Sequence, residues 1–93
     1  MSQQNAASVK DRIRDRLTAA LEPTWLDVLD ESHRHEGHGG WREGGGTHFR
    51  VKVVSPAFAG KSRVEMHRMV NAALADELAP GGVHALAIEA RAP

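Results

Sequence analysis

Six histidines and no cysteine define the metal chemistry open to this chain. Three of the imidazoles fall in one run, His33-Arg34-His35-Glu36-Gly37-His38-Gly39-Gly40, and the others stand apart at His48, His67 and His84. A soft metal or a cluster must therefore be met by imidazole. A structural zinc site takes four protein ligands, usually with some thiolate among them. The run by itself is thus either part of a metal site completed from elsewhere or a polar, glycine-rich loop that contains histidine. His48 falls on the polar side of a strand and reads as exposed. His67, near the apolar stripe of a helix, reads as a hydrogen-bonded structural histidine. His84 opens an aliphatic strand directly after Gly81-Gly82, where a side chain can project past the sheet end; it is either a ligand or a core histidine.

Other chemistries find little support. Gly60-Lys61-Ser62 resembles the tail of a phosphate-binding loop, but the full pattern needs glycine where Ser55 stands, so these residues read as a turn feeding a capped helix. No serine sits in a glycine-flanked elbow between strand and helix, and no cysteine exists to act as a nucleophile. Asp27 and Asp30 read as solvated charges rather than paired catalytic acids. The expectation is a protein that is not an enzyme.

The elements that must position the histidines follow from periodicity. Ser8 caps a first helix running to Leu21, with Val9, Ile13, Leu17 and Leu21 at helical spacing and Pro23 just beyond it. Residues 24–30 read as a strand that contains a bulge. The glycine-dominated stretch 33–46 reads as a mobile loop, long enough to be functional. In 47–54, Phe49, Val51 and Val53 alternate with His48, Arg50 and Lys52, so one face of the sheet is packed and the other wet. After a turn at 55–61, Ser62 and Glu65 form a capping box that opens a helix from Arg63 to Leu78, ended by Pro80-Gly81-Gly82. Residues 83–89 read as a last strand with His84, Leu86 and Ile88 on one face. The order α-β-β-α(-α)-β fits an α+β fold in which a three-stranded mixed sheet carries its helices on one side. Residues 1–7 are expected to form a disordered tail, 8–90 a single domain and 91–93 a short C-terminal tail.

With 93 residues and no disulfide, helix-on-sheet packing must supply nearly all the stability. Twelve acidic and twelve basic residues balance, so no global field draws the chain to bulk DNA or an anionic membrane. No apolar run approaches the roughly 20 residues that cross a bilayer, and the start lacks the pattern of a secretory signal, so the expected location is cytoplasmic.

The segments Asp30-Glu31-Ser32-His33-Arg34-His35, Thr47-His48-Phe49-Arg50-Val51, Phe58-Ala59-Gly60, His67-Arg68-Met69-Val70 and Val83-His84-Ala85-Leu86 occur in an order and spacing that resembles the BolA family. The resemblance runs from about Val9 to Glu89. It implies a class II KH-like fold and partnership with a monothiol glutaredoxin in iron–sulfur cluster trafficking or iron regulation. It also implies that a [2Fe–2S] cluster is shared across a heterodimer, with the glutaredoxin cysteine and glutathione on one iron. His84 and a loop histidine, best placed at His35 with His38 or His33 as alternatives, would then bind the other. Alone, the chain is expected to be a monomer without bound cofactor.

Cluster chemistry is consistent with that implication, because a cysteine-free chain cannot hold a [2Fe–2S] centre unaided and thiolates must come from a partner. Replacing thiolate by neutral nitrogen raises the cluster potential, as in Rieske-type centres. Imidazole binds iron only when neutral, so affinity should fall as the pH drops through roughly 6.5. The competing expectation is a DNA-binding transcriptional regulator. KH folds grip single strands through a G-x-x-G turn. Here that turn reads Ala59-Gly60-Lys61-Ser62, and Lys61, Arg63, Arg68, Arg50 and Lys52 would form a basic patch making a weak, salt-sensitive contact.

Overall fold

The computed structural model describes residues 8–31, 48–80 and 82–93. Its elements are α1 (Val9–Leu21), β1 (Trp25–Asp30), β2 (His48–Val54), a 3-10 turn (Pro56–Phe58), α2 (Arg63–Ala73) and β3 (Ala85–Arg91). The expected tail of residues 1–7 and the loop with His33, His35 and His38 lie outside the described residues.

Strand order is β1-β2-β3, with β1 antiparallel and β3 parallel to the central β2. A hairpin can join the first pair, but a parallel pair needs a crossover, and α2 provides it. The six pairs from Trp25↔Val54 to Asp30↔Phe49 run without interruption, so β1 contains no bulge. Its imperfect alternation comes from the strand lying at the edge, where Trp25 is exposed. Ladder partners point to the same face. Val28, Phe49, Val51 and Val53 therefore line one side, and Ile13, Leu17 and Leu21 of α1 join them with Val70 of α2 and Leu74 just beyond it in a single core. His48, Arg50 and Lys52 fall on the other side, which carries no helix.

Both helices begin as their sequences require. The Ser8 hydroxyl accepts the Asp11 N–H, and at α2 the Ser62 hydroxyl accepts the Glu65 N–H at 3.1 Å while Glu65 accepts the Ser62 N–H at 2.7 Å. The backbone and hydroxyl of Ser62 hold the Glu65 carboxyl below the usual carboxylate range. Between β2 and α2, Lys61 N–H returns to the Phe58 carbonyl with Ala59 at φ −60° and Gly60 at φ 76°, a type II turn whose third residue must be glycine.

Regular α2 stops at Ala73 rather than Leu78. Residues beyond it are held by tighter turns, Glu77 N–H to Leu74 O and Leu78 N–H to Ala75 O. The Glu77 side chain, only 8% exposed, is drawn towards α1, where it accepts Arg12 Nε at 3.1 Å and Arg16 Nε at 2.9 Å. Leu74 and Leu78 still pack on the core from these turns. At the other end of β2, Ser55 is fully buried: its hydroxyl donates to the Leu21 carbonyl and accepts the Ala57 N–H, and its N–H donates to the Arg91 carbonyl. The residue that breaks the phosphate-loop pattern is thus a knot between α1, β2 and β3. β3 itself starts at Ala85 and continues to Arg91, past the expected limits of 83–89.

Leu17→Ala, at the fully buried centre of α1, is expected to cost about 2–5 kcal/mol in urea unfolding. Because the folded Glu65 carboxyl is depressed, its stabilising share is complete above the unfolded value near 4.3 and fades as the pH falls towards the lower folded value. Glu65→Gln should therefore narrow its stability gap from wild type between pH 6 and pH 3; a constant gap would argue against the capping-box origin.

Candidate functional site

The histidine end of the sheet is assembled from strand starts. His48 opens β2, and the register His48↔Ala85 sets the beginning of β3 beside it. His84 stands one residue before β3, in a bend, with its ring 6.2 Å from that of His48 and the planes 12° apart. His84 is exposed and His48 half-buried. The expected common face of His84 with Leu86 and Ile88 does not hold: those two pair with Phe49 and Val51 towards the core, whereas His84, not yet committed to the pleat, turns to the side of His48. Nor is His48 simply a solvated strand residue, since it stacks on His84. Alternation revealed the polar side of β2 but not which imidazole would meet it, because that contact depends on a pairing between distant segments.

The chain that carries the loop histidines leaves and returns at this same end. Glu31 N–H donates to the His48 carbonyl at 2.8 Å, so residues 31 and 48, which bracket the loop, are tied together next to His84. Below them, Arg50 crosses the helix-free face, donating from Nε to Glu31 at 3.1 Å and from Nη1 to Glu89 at 3.0 Å. The bond to Glu31 and its charge, reinforced by Glu89, push the guanidinium pKa up from an already high value. One cation thus joins all three strand segments beneath the histidine pair.

Gly82 sets the approach of His84. Its N–H donates to Ala79 O at 2.9 Å, and Val83 N–H donates to Glu77 O at 2.8 Å, bringing the backbone so close that a Cβ at position 82 would collide with the Glu77 carbonyl oxygen. Val83 is buried just beyond, which anchors His84 on a fixed backbone.

The five basic residues proposed for nucleic acid differ in their surroundings. Arg50 is held by two carboxylates. Lys52 and Arg63 share a groove at the opposite end of the sheet, whereas Lys61 and Arg68 are exposed and do not line it. His67 also lines that groove, half-buried and without a side-chain hydrogen bond among the described residues, because α2 presents it to the groove rather than to the core. Among the described residues no three histidine, cysteine or acidic side chains gather to hold a metal ion. Asp27 pairs with Lys52 in the register and Asp30 with Phe49, which sets the two acids on opposite faces.

The profile of the BolA-like protein family matches residues 17–93. The chain is 45% identical over 86 residues to SufE-like protein 1 of Arabidopsis thaliana, covering 88% of this chain but only 23% of that relative's length. It is 41% identical over 80 residues to the DNA-binding transcriptional regulator BolA of Escherichia coli, covering 86% of this chain and 71% of the relative. Among solved structures, the BolA domain of SufE1 from Arabidopsis thaliana superposes with a TM-score of 0.79 at 45% identity over 90% of this chain and 91% of that domain.

Gly82→Ala should force the Glu77–Val83 turn apart, lowering the unfolding midpoint and shifting the His84 and His48 ring resonances together; unchanged ring resonances would show that Gly82 does not set the histidine pair.

Proposed function

The chain belongs to the BolA-like protein family, and on that premise we propose that it is a non-enzymatic, cytoplasmic adaptor that takes up a [2Fe–2S] cluster as cargo from a monothiol glutaredoxin. The reading is carried by one observation: an exposed imidazole, His84, stands on a rigid backbone at the sheet end where the histidine loop departs and returns. In this reading His84 supplies the anchored nitrogen and His35, or else His38 or His33, the second, while the glutaredoxin cysteine and glutathione complete the other iron. The residues present suit such a cargo, because His84 is reachable from outside and the chain has no thiolate with which to retain the cluster alone.

The cluster supplies electron-transfer and iron-donor chemistry; the chain supplies position. His48, stacked on His84, limits how that ring can turn and so acts as a positioning residue. Val83 and Gly82 hold the backbone, and Arg50 ties the base of the loop to β2 and β3. The occurrence of a BolA domain within a much longer SufE-like relative agrees with a module that works attached to, or against, another protein.

A second reading, a DNA-binding transcriptional regulator, is favoured by the similarity to the Escherichia coli regulator BolA and by Lys52 and Arg63 sharing one groove. Its contacts would come from Lys61, Arg63, Arg68 and Lys52, with Arg50 contributing less because its charge is already paired.

Mixing the chain with a monothiol glutaredoxin loaded with a glutathione-ligated cluster should alter the visible absorption and circular dichroism of the cluster. His84→Ala should abolish the change, and His48→Ala should weaken complex formation by about 10- to 100-fold. An unaltered spectrum with wild-type protein, accompanied by tight and sequence-selective DNA retention, would replace the adaptor reading with the regulator.

A further inference from the structure

The end of the sheet remote from the histidines carries a groove of about 560 Å³ between the first turns of α2 and the ends of β2 and β3, with Trp25 of β1 at its rim. Its apolar lining includes Trp25, Met66 and Ile88. Trp25 is 52% exposed, and only it and Val64 are large hydrophobics left open among the described residues. An indole offers 150–250 Å² of surface, of order, for burial against a partner, so leaving it half-open marks a contact site.

The unpaired charges lining this groove are of one sign. Arg12, Arg14, Arg16 and Arg50 each engage a carboxylate elsewhere in the fold. Lys52, Arg63 and Arg91 line the groove and make no ion pair among the described residues. Glu89 supplies the acid in the lining, and its carboxylate is already held by Arg50. A chain with no net charge has therefore left three cations unpaired around one apolar depression.

We propose that this groove docks an acidic polypeptide segment of a protein partner, an aliphatic side chain of which packs against Trp25, Met66 and Ile88 while flanking carboxylates meet Lys52, Arg63 and Arg91. The volume lies in the range that accommodates a few side chains. A single-stranded nucleic acid fits less well: tracks of that kind present a run of aromatic faces to successive bases, whereas this lining holds one indole and one imidazole beside aliphatic Met66 and Ile88. The inference does not depend on cluster binding. The seven residues of β3 carry the chain about 23 Å, at 3.3 Å per residue, from His84 to Arg91, so the groove and the histidine pair can be occupied together.

The test uses the full chain with Trp41→Phe, leaving Trp25 as the sole indole reporter. Probes are an acetylated peptide of about eight residues, rich in aspartate and glutamate around one leucine, and an oligothymidylate of matched charge. The peptide should produce a saturable change in Trp25 emission, and Arg63→Glu with Arg91→Glu should weaken its binding about tenfold or more. An acid in the first turn of α2 suits the helix dipole, so Arg63→Glu should leave the fold intact, as circular dichroism would verify. No emission change at millimolar peptide, an affinity indifferent to the double reversal, or tighter binding of the oligothymidylate would each overturn the proposal.

Discussion

Parallel pairing of β2 with β3 is the constraint on which the rest of this structure depends. Because the two strands run in the same direction, their first residues must lie at the same end of the sheet, and the register His48↔Ala85 places His48 and His84 side by side. The same pairing requires a connection that returns the chain to its starting end, which is why α2 exists and why it packs over β3. The antiparallel partner β1 then ends where β2 begins, so both roots of the histidine loop, tied by the Glu31–His48 hydrogen bond, join that end as well.

Ionic contacts divide the molecule by task. On the helical side, Glu77 is buried and received by Arg12 and Arg16, fastening the turns after α2 onto α1. A carboxylate so placed needs both guanidinium groups, since an uncompensated buried charge is strongly destabilising. On the helix-free side, Arg50 bridges Glu31 and Glu89 and stiffens the three strand segments below the histidine pair. These clamps consume the cations of the centre and leave unpaired ones at the remote end around Trp25. A neutral chain can thereby present a locally positive surface without the long-range attraction of a basic protein.

Rigidity and accessibility coincide at His84. Val83 is buried, Gly82 is pressed against the Glu77 carbonyl, and the imidazole that follows them is open to solvent. An exposed side chain on a backbone held by buried neighbours is preorganised, which suits the ligand role proposed for His84. The remote groove gives the small domain a second surface with different chemistry, apolar and cationic rather than imidazole-based.

The amino-acid sequence by itself determined the elements and the family. Caps at Ser8 and Ser62, the turn at Gly60 and the alternation of Phe49, Val51 and Val53 act locally, through hydrogen bonds and periodicity within a few residues, and each appears where the pattern places it. That His84 is exposed rather than a core histidine was left open by its place at the head of an aliphatic strand and is answered by the fold. Tertiary structure alone decided that His48 is the neighbour of His84, that Ser55 knots three elements, that Glu77 fastens the turns after α2 onto α1 and that Arg50 is paired while Lys52 and Arg63 share a groove with Trp25. Each of those outcomes is a contact between segments distant along the chain, set by strand register and helix packing, and no local pattern of residues encodes which two distant side chains will meet.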